Sequence, residues 1–153
     1  NTGTYMHGIL EAWVLNQEYD GQSTVQSRLM ADTIKKNIEP DLNEVWGSEV
    51  NLYYPGLYAG TTDLVGMYKG QPTIMDFKQT NKPKKREWID DYFLQGAAYG
   101  LAHNALYETE IKNIAIFMCS RDCEWQLFEA GTEEFSQWEE KWAKRVEQFY
   151  DQS

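Results

Sequence analysis

Two strand-like runs carry the acids of this chain that matter most, and the turn between them leaves them little choice of partner. Asp63 lies in Gly60-Thr61-Thr62-Asp63-Leu64-Val65-Gly66, and Ile74-Met75-Asp76-Phe77-Lys78 follows the turn residues Lys69-Gly70-Gln71-Pro72. Runs so close in sequence pair as an antiparallel hairpin. Side chains alternate along a strand, so the pairing brings both carboxylates to one end of a sheet and sets Lys78 on the face of Asp76. Two carboxylates and an ammonium at one point are the equipment of magnesium-dependent phosphodiester hydrolysis. The carboxylates hold a hard cation through oxygen, and the lysine handles the attacking water or the phosphoryl charge.

At 153 residues the chain is expected to form a single domain, large enough to bury roughly 68–70% of its unfolded surface. No apolar run approaches the ~20 residues of a membrane-spanning helix, and no signal-peptide pattern opens the chain. It begins without Met inside a helical pattern, which is read as a trimmed terminus or a module of a longer protein. The two cysteines, Cys119 and Cys123, are too few for a disulfide scaffold and suit a reducing, intracellular setting. A net charge of −10 argues against a general nucleic-acid coat. The charge is uneven, however. Residues 77–86 hold five of the 14 basic residues and no acid, whereas from Asp122 onward nine acids face three bases. Lys82, Lys84, Lys85 and Arg86 thus form a basic loop directly after the Asp-x-Lys strand, where a phosphate backbone would pass.

A first helix is expected from a cap at Thr2 or Thr4 to about Leu15, and a second from Ser23-Thr24 to near Asn37. Strands are expected over Val45–Tyr54, ending in a turn at Pro55-Gly56, over Leu57–Tyr68 and over Pro72–Lys78. Glu87 to Tyr107 reads as a helix, Ile111–Cys119 and Glu124–Phe128 as two strands, and a last helix starts at Thr132. In that last helix Phe135, Trp138, Trp142, Val146 and Phe149 form an apolar stripe, read as core. The order describes an α/β fold: a central mixed β-sheet flanked by helices, with the helix after the third strand crossing over to the fourth.

Further pieces gather around the acid pair: Gly3-Thr4-Tyr5-Met6-His7 on the first helix, Glu49 on the strand before Asp63, and Gln95-Gly96-Ala97-Ala98-Tyr99 on the central helix. Taken in order, G-T-x-x-H, E, G-x-x-D, D-x-K and Q-x-x-x-Y, the chain resembles the RecB-type branch of the PD-(D/E)XK nucleases over residues 3 to about 107. That resemblance implies a restriction-endonuclease-like fold and one or two Mg²⁺ or Mn²⁺ ions. Asp63, Asp76, His7 and the backbone carbonyl of Phe77 would hold the metal. Lys78 would activate water and stabilise the transition state. Gln95 and Tyr99 would face the site, and Glu49 would stand at its outer edge. DNA would be the partner, met by Thr4 and the basic loop. A helicase or another replication or recombination protein would be a further partner, with no membrane involved.

Two departures from the pattern stand out: Thr62 replaces the proline common before the first acid, and the second acid is Asp76 rather than Glu. The cysteine set of iron–sulfur members is missing, so no cluster is expected, and this counts against a trimming nuclease of CRISPR adaptation. The activity implied is that of an exonuclease on single-stranded DNA or DNA ends that leaves 5′-phosphates, as in small phage and mitochondrial enzymes of genome maintenance. The alternative is an idle nuclease fold kept as a DNA-end-binding or assembly module. Glu11, Asp90 and Asp91 read as solvated helix acids, His103 as packing, and Tyr53, Tyr54 and Tyr58 as strand tyrosines able to stack on bases.

Overall fold

The computed structural model describes residues 1–54 and 58–151, so the turn expected at Pro55-Gly56 lies outside the described residues. In chain order the elements are α1 (Thr2–Val14), α2 (Val25–Ile38), β1 (Leu42–Tyr54), β2 (Tyr58–Tyr68), β3 (Gln71–Thr80), α3 (Asp90–Tyr107), β4 (Asn113–Ser120), β5 (Trp125–Ala130) and α4 (Thr132–Asp151). The element types match those read from the sequence. The boundaries move by a few residues, most at β1, which starts at Leu42 instead of Val45.

Local chemistry sets these ends. The cap of α1 is Asn1 rather than Thr2 or Thr4: its side-chain oxygen accepts the Thr4 amide at 2.9 Å. A short amide side chain just before the first helical residue reaches that donor, whereas Thr2 is already inside the first turn. Thr24 and Ser27 cap α2 reciprocally, at 3.0 and 2.8 Å. A single 3₁₀ turn, Arg86–Trp88, occupies the expected start of α3.

The β2–β3 hairpin is tighter than its four turn-like residues suggest. Only Lys69 and Gly70 lie in the turn, with φ of 51° and 76°, while Gln71 and Pro72 already pair with Tyr68 and Met67. Positive φ at both central residues gives the turn type whose twist matches that of the strands. The five strands lie in chain order, antiparallel except for β3 against β4, which are parallel and joined through α3. The expected mixed sheet flanked by helices is therefore present.

Alternation along the strands divides the core between two layers. Leu64, Met75, Phe77 and Phe117 pack against Met6 and Leu10 of α1 and Met30 and Ile34 of α2. On the opposite face Ile114, Ile116 and Met118 pack against Phe93 of α3 and Phe135 of α4, and Val65 and Ile74 pack against Tyr99 and Ala102. The apolar stripe of α4 departs from the expected core role. Phe135 is fully buried, Trp138 and Trp142 are half-buried, and Phe149 is 68% exposed. Phe135 and Trp138 pack with the core, Trp142 lies half-buried against Tyr58 of β2, and the end of the stripe at Phe149 is open to solvent. Among the described residues no helix is long and apolar enough to cross a membrane.

Candidate active site

The site forms where β2 and β3 part. Their ladder runs from Tyr68 opposite Gln71 to Leu64 opposite Met75, so the next positions along it are Asp63 and Asp76. There side chains take over from backbone pairing. Asp63 Oδ2 accepts the Phe77 amide at 2.8 Å, and the Asp63 amide lies 3.5 Å from Asp76 Oδ1. The Thr62 hydroxyl, fully buried, donates to the Met75 carbonyl over a long 3.4 Å. Threonine at this position thus gives the fork a donor that proline would lack.

His7 reaches the fork from α1. Its Nδ1 lies 2.8 Å from the Gly3 carbonyl, one turn back, which makes Nδ1 the donor and turns Nε2 toward Asp63 Oδ2 at 3.3 Å. Gly3 has a second role, since a Cβ there would stand 3.2 Å from Gln79 Oε1 of β3. The small residue lets the start of α1 approach the strand that carries Asp76. Burial alone would lower the pKa of His7. The hydrogen bond and charge of Asp63, with the Gly3 and Phe77 backbones, reverse this and raise it to about 9. The same imidazole holds the Asp63 carboxyl below its ordinary value, although burial works against it.

Asp76 behaves oppositely. Burial, then the charge of Asp63, pushes its pKa up to about 7, even with Lys78 Nζ 3.1 Å from Oδ2. The Lys78 ammonium itself is shifted upward: burial opposes its charge, but Asp76 more than compensates. The two shifts pull the ion pair in opposite directions. Asp76 has a second acid as neighbour and Lys78 has no second cation, so the carboxyl bears the cost of the crowding. The other side of the ammonium rests on the Tyr92 ring, 4.5 Å from its centroid.

The remaining candidates divide. Glu49 adopts a left-handed φ of 51° within β1, and its pKa is raised by burial, by Asp63 and then by Glu11. Glu11, read from the sequence as a solvated acid, therefore belongs to the same electrostatic neighbourhood. Its position four residues after His7 on one helix face was the available signal. Tyr99 is 9% exposed, and its pKa is raised by burial and by the charge of Asp76. A Cβ at position 60 would lie 2.6 Å from the Tyr99 hydroxyl, so the glycine makes room for that ring. Gln95 is exposed and lines one cavity with Tyr99.

Thr4 is exposed in the first turn of α1. The basic loop is pinned to β5 by paired 2.8 Å hydrogen bonds between the Lys84 backbone and the Gln126 side chain. Lys82, Lys84 and Lys85 are exposed, with Lys85 over the Trp88 ring. Arg86 is instead engaged by the Glu134 carboxylate and the Glu129 carbonyl and lies over Phe93, so it works as a strut between the loop and α4. His103 is buried, with Nδ1 2.8 Å from the Thr109 hydroxyl, and packs as expected. Cys119 is buried, which pushes its thiol up to about 12.

Among the described residues, no three or more His, Cys, Asp and Glu side chains are gathered to hold a metal. The acids at the fork are instead engaged as two ion pairs, His7 with Asp63 and Lys78 with Asp76.

No family model matches the chain, and no curated protein matches it. Among solved structures its fold is similar to the crystal structure of a "Putative exonuclease" from Eubacterium rectale, with a TM-score of 0.62 at 11% sequence identity. That similarity covers 99% of this chain but only 66% of the neighbour, so the chain spans less than two thirds of the length of the protein it matches. At this identity the likeness is one of fold alone.

Proposed function

We propose that this chain is a nuclease of the PD-(D/E)XK superfamily, of its RecB-type branch, which hydrolyses phosphodiester bonds at DNA ends and leaves 5′-phosphates in replication, recombination or repair. The observation that carries this reading is the fork itself. Asp63, Asp76, Lys78 and His7 arrive from three elements at the point where β2 and β3 separate. The exonuclease name of the E. rectale neighbour agrees with it.

The donor types suit a hard divalent ion, although at the fork they stand in two ion pairs and are not gathered about one point. Two carboxylates supply oxygen, and His7 presents Nε2 because its Nδ1 is tied to Gly3. Asp63, Asp76, His7 and the Phe77 carbonyl would hold Mg²⁺ or Mn²⁺, which would supply an acidified water and charge neutralisation at the scissile phosphate. Lys78 would then be released from Asp76 toward the attacking water and the phosphoryl oxygens. Tyr92 beneath the ammonium keeps this end of the lysine in place. Gln95 would meet a phosphate or a base, and Glu49 would act through water at the rim.

Binding must displace protons, because His7 titrates at about 9 and Asp76 at about 7. Mn²⁺ affinity is therefore expected to rise with pH, by about tenfold per unit for each proton displaced. One proton should leave near pH 8 and two near pH 6. Titration calorimetry in buffers of different ionisation enthalpy measures that release. Affinity that stays flat between pH 6 and 9 would exclude these groups as ligands.

A second reading draws on the same ion pairs. Acids already neutralised by His7 and Lys78 suit an idle fold that binds DNA ends without cutting them. Digestion of 5′- and 3′-labelled single-stranded and duplex DNA with Mg²⁺, Mn²⁺ or EDTA separates the two. Metal-dependent degradation establishes the nuclease, and its label pattern gives the polarity. Binding without cleavage under either metal selects the idle module.

A further inference from the structure

Between α3 and α4, three depressions of about 320, 260 and 240 Å³ share Arg145, Tyr58 and Trp142 in overlapping pairs and so form one continuous trough. Its middle part is bounded by Gln95 and by Tyr99, whose hydroxyl lies within the field of Asp76 and Lys78. We infer that this trough is the path of a single DNA strand into the site, with bases on the α4 aromatics and phosphates on the α4 cations. The inference rests on the nuclease reading and names the form of its substrate.

Charge supports it first. The C-terminal part of the chain is strongly acidic, yet its three bases, Lys141, Lys144 and Arg145, all line the trough. They fall at three- and four-residue spacings, hence on one face of α4. Asp90 and Asp91 also line it, and Arg145 Nη1 stands 4.0 Å from Asp91 Oδ1, so the two lysines are the cations left to meet phosphate. Arg86, in the loop expected to bind DNA, is already tied to Glu134.

The aromatic groups supply the second argument. The stripe of α4 leaves the core after Trp138, and Trp142 meets Tyr58 edge to face at 5.1 Å on the trough wall. The Tyr58 hydroxyl donates to the Ala98 carbonyl at 2.8 Å, which fixes its ring, and Tyr54 stacks on it at 5.7 Å. Fixed rings next to cations are the arrangement that binds unpaired bases regardless of sequence, whereas duplex DNA keeps its base faces stacked and out of reach.

The test is fluorescence anisotropy with a labelled oligo-dT and with a duplex of equal length, in Ca²⁺, over a range of salt. Trp142→Ala is expected to weaken oligo-dT binding about 5- to 150-fold. Lys141→Gln/Lys144→Gln, which alters exposed side chains only, should reduce the salt slope by about 1.4. Arg28→Gln/Lys36→Gln on α2, in the opposite layer, should change neither. If the wild-type protein binds and cuts DNA while both trough variants bind as it does, the strand runs elsewhere, the path is wrong and the nuclease reading stands. Equal affinity for the duplex, unaffected by Trp142→Ala, likewise overturns it. A wild-type protein that neither binds nor cuts DNA overturns the path and the nuclease reading together.

Discussion

Lys78→Ala is expected to lower DNA cleavage by about 10²–10⁴-fold, the range for a group that acts on the reacting atoms, while oligonucleotide affinity stays within about threefold. The structure gives this substitution two routes to inactivity, and they need separating. Lys78 is the cation of Asp76, at 3.1 Å, and Asp76 already titrates at about 7 because of burial and Asp63. Without the ammonium, Asp76 takes up a proton rather than remain an unpaired charge. Metal binding would then fail at neutral pH for a reason unrelated to the chemical step. The assay therefore runs at pH 7 and at pH 9 with saturating Mn²⁺. A loss that persists at pH 9 places Lys78 in the chemistry, and recovery to near wild-type rates at pH 9 would reduce it to a keeper of the Asp76 charge.

How much of this site the sequence disclosed depends on how local each signal was. That Asp63 and Asp76 come to one end of a hairpin followed from one short turn; the register did not, because it depends on the turn being Lys69-Gly70 alone and not the four residues read as turn. His7 joined the two acids through a spacing that Gly3 explains twice, by its carbonyl on Nδ1 and by its missing Cβ against Gln79. Three further features were not legible. Glu11 looked like any helix acid until α1 was laid against β1, because its neighbourhood depends on how two distant elements pack. Arg86 looked like a free cation in a basic run, but its partner Glu134 lies in a helix 48 residues away. The stripe of α4 had the period of a core helix and stops being core after Trp138, because periodicity reports which face is apolar and says nothing of what covers it. The ion pair of Arg86 and the open end of the α4 stripe belong to one helix: Arg86 is tied to Glu134 in its first turn, and Phe149 in its last turns is exposed.

Asp76→Asn should remove cleavage and yet make the protein harder to melt. The sign follows from the direction of its shift. A carboxyl lifted from its ordinary value to about 7 is held in its protonated form by the fold, so between about pH 4 and 7 the native state binds more protons than the unfolded chain. Stability from this group is full at low pH and is lost as pH rises through 7. The corresponding cost at pH 8 has a ceiling of about 4 kcal/mol. Asparagine removes that cost, but it also takes from Lys78 its 3.1 Å partner. A net gain of about 2 kcal/mol remains, or a rise in Tm of about 4–8 °C for a chain of this size. The gain should shrink to a small remainder near pH 4, where the wild-type Asp76 is protonated in the native state and nearly half protonated in the unfolded chain. Mn²⁺ should invert the order, since it stabilises only the protein that keeps both carboxylates. Calorimetry of both proteins at pH 4 and 8, with and without Mn²⁺, reads all four values. A variant less stable than wild type at pH 8 without metal would mean that Lys78 more than compensates Asp76, and that the crowding of the two acids does not burden the fold.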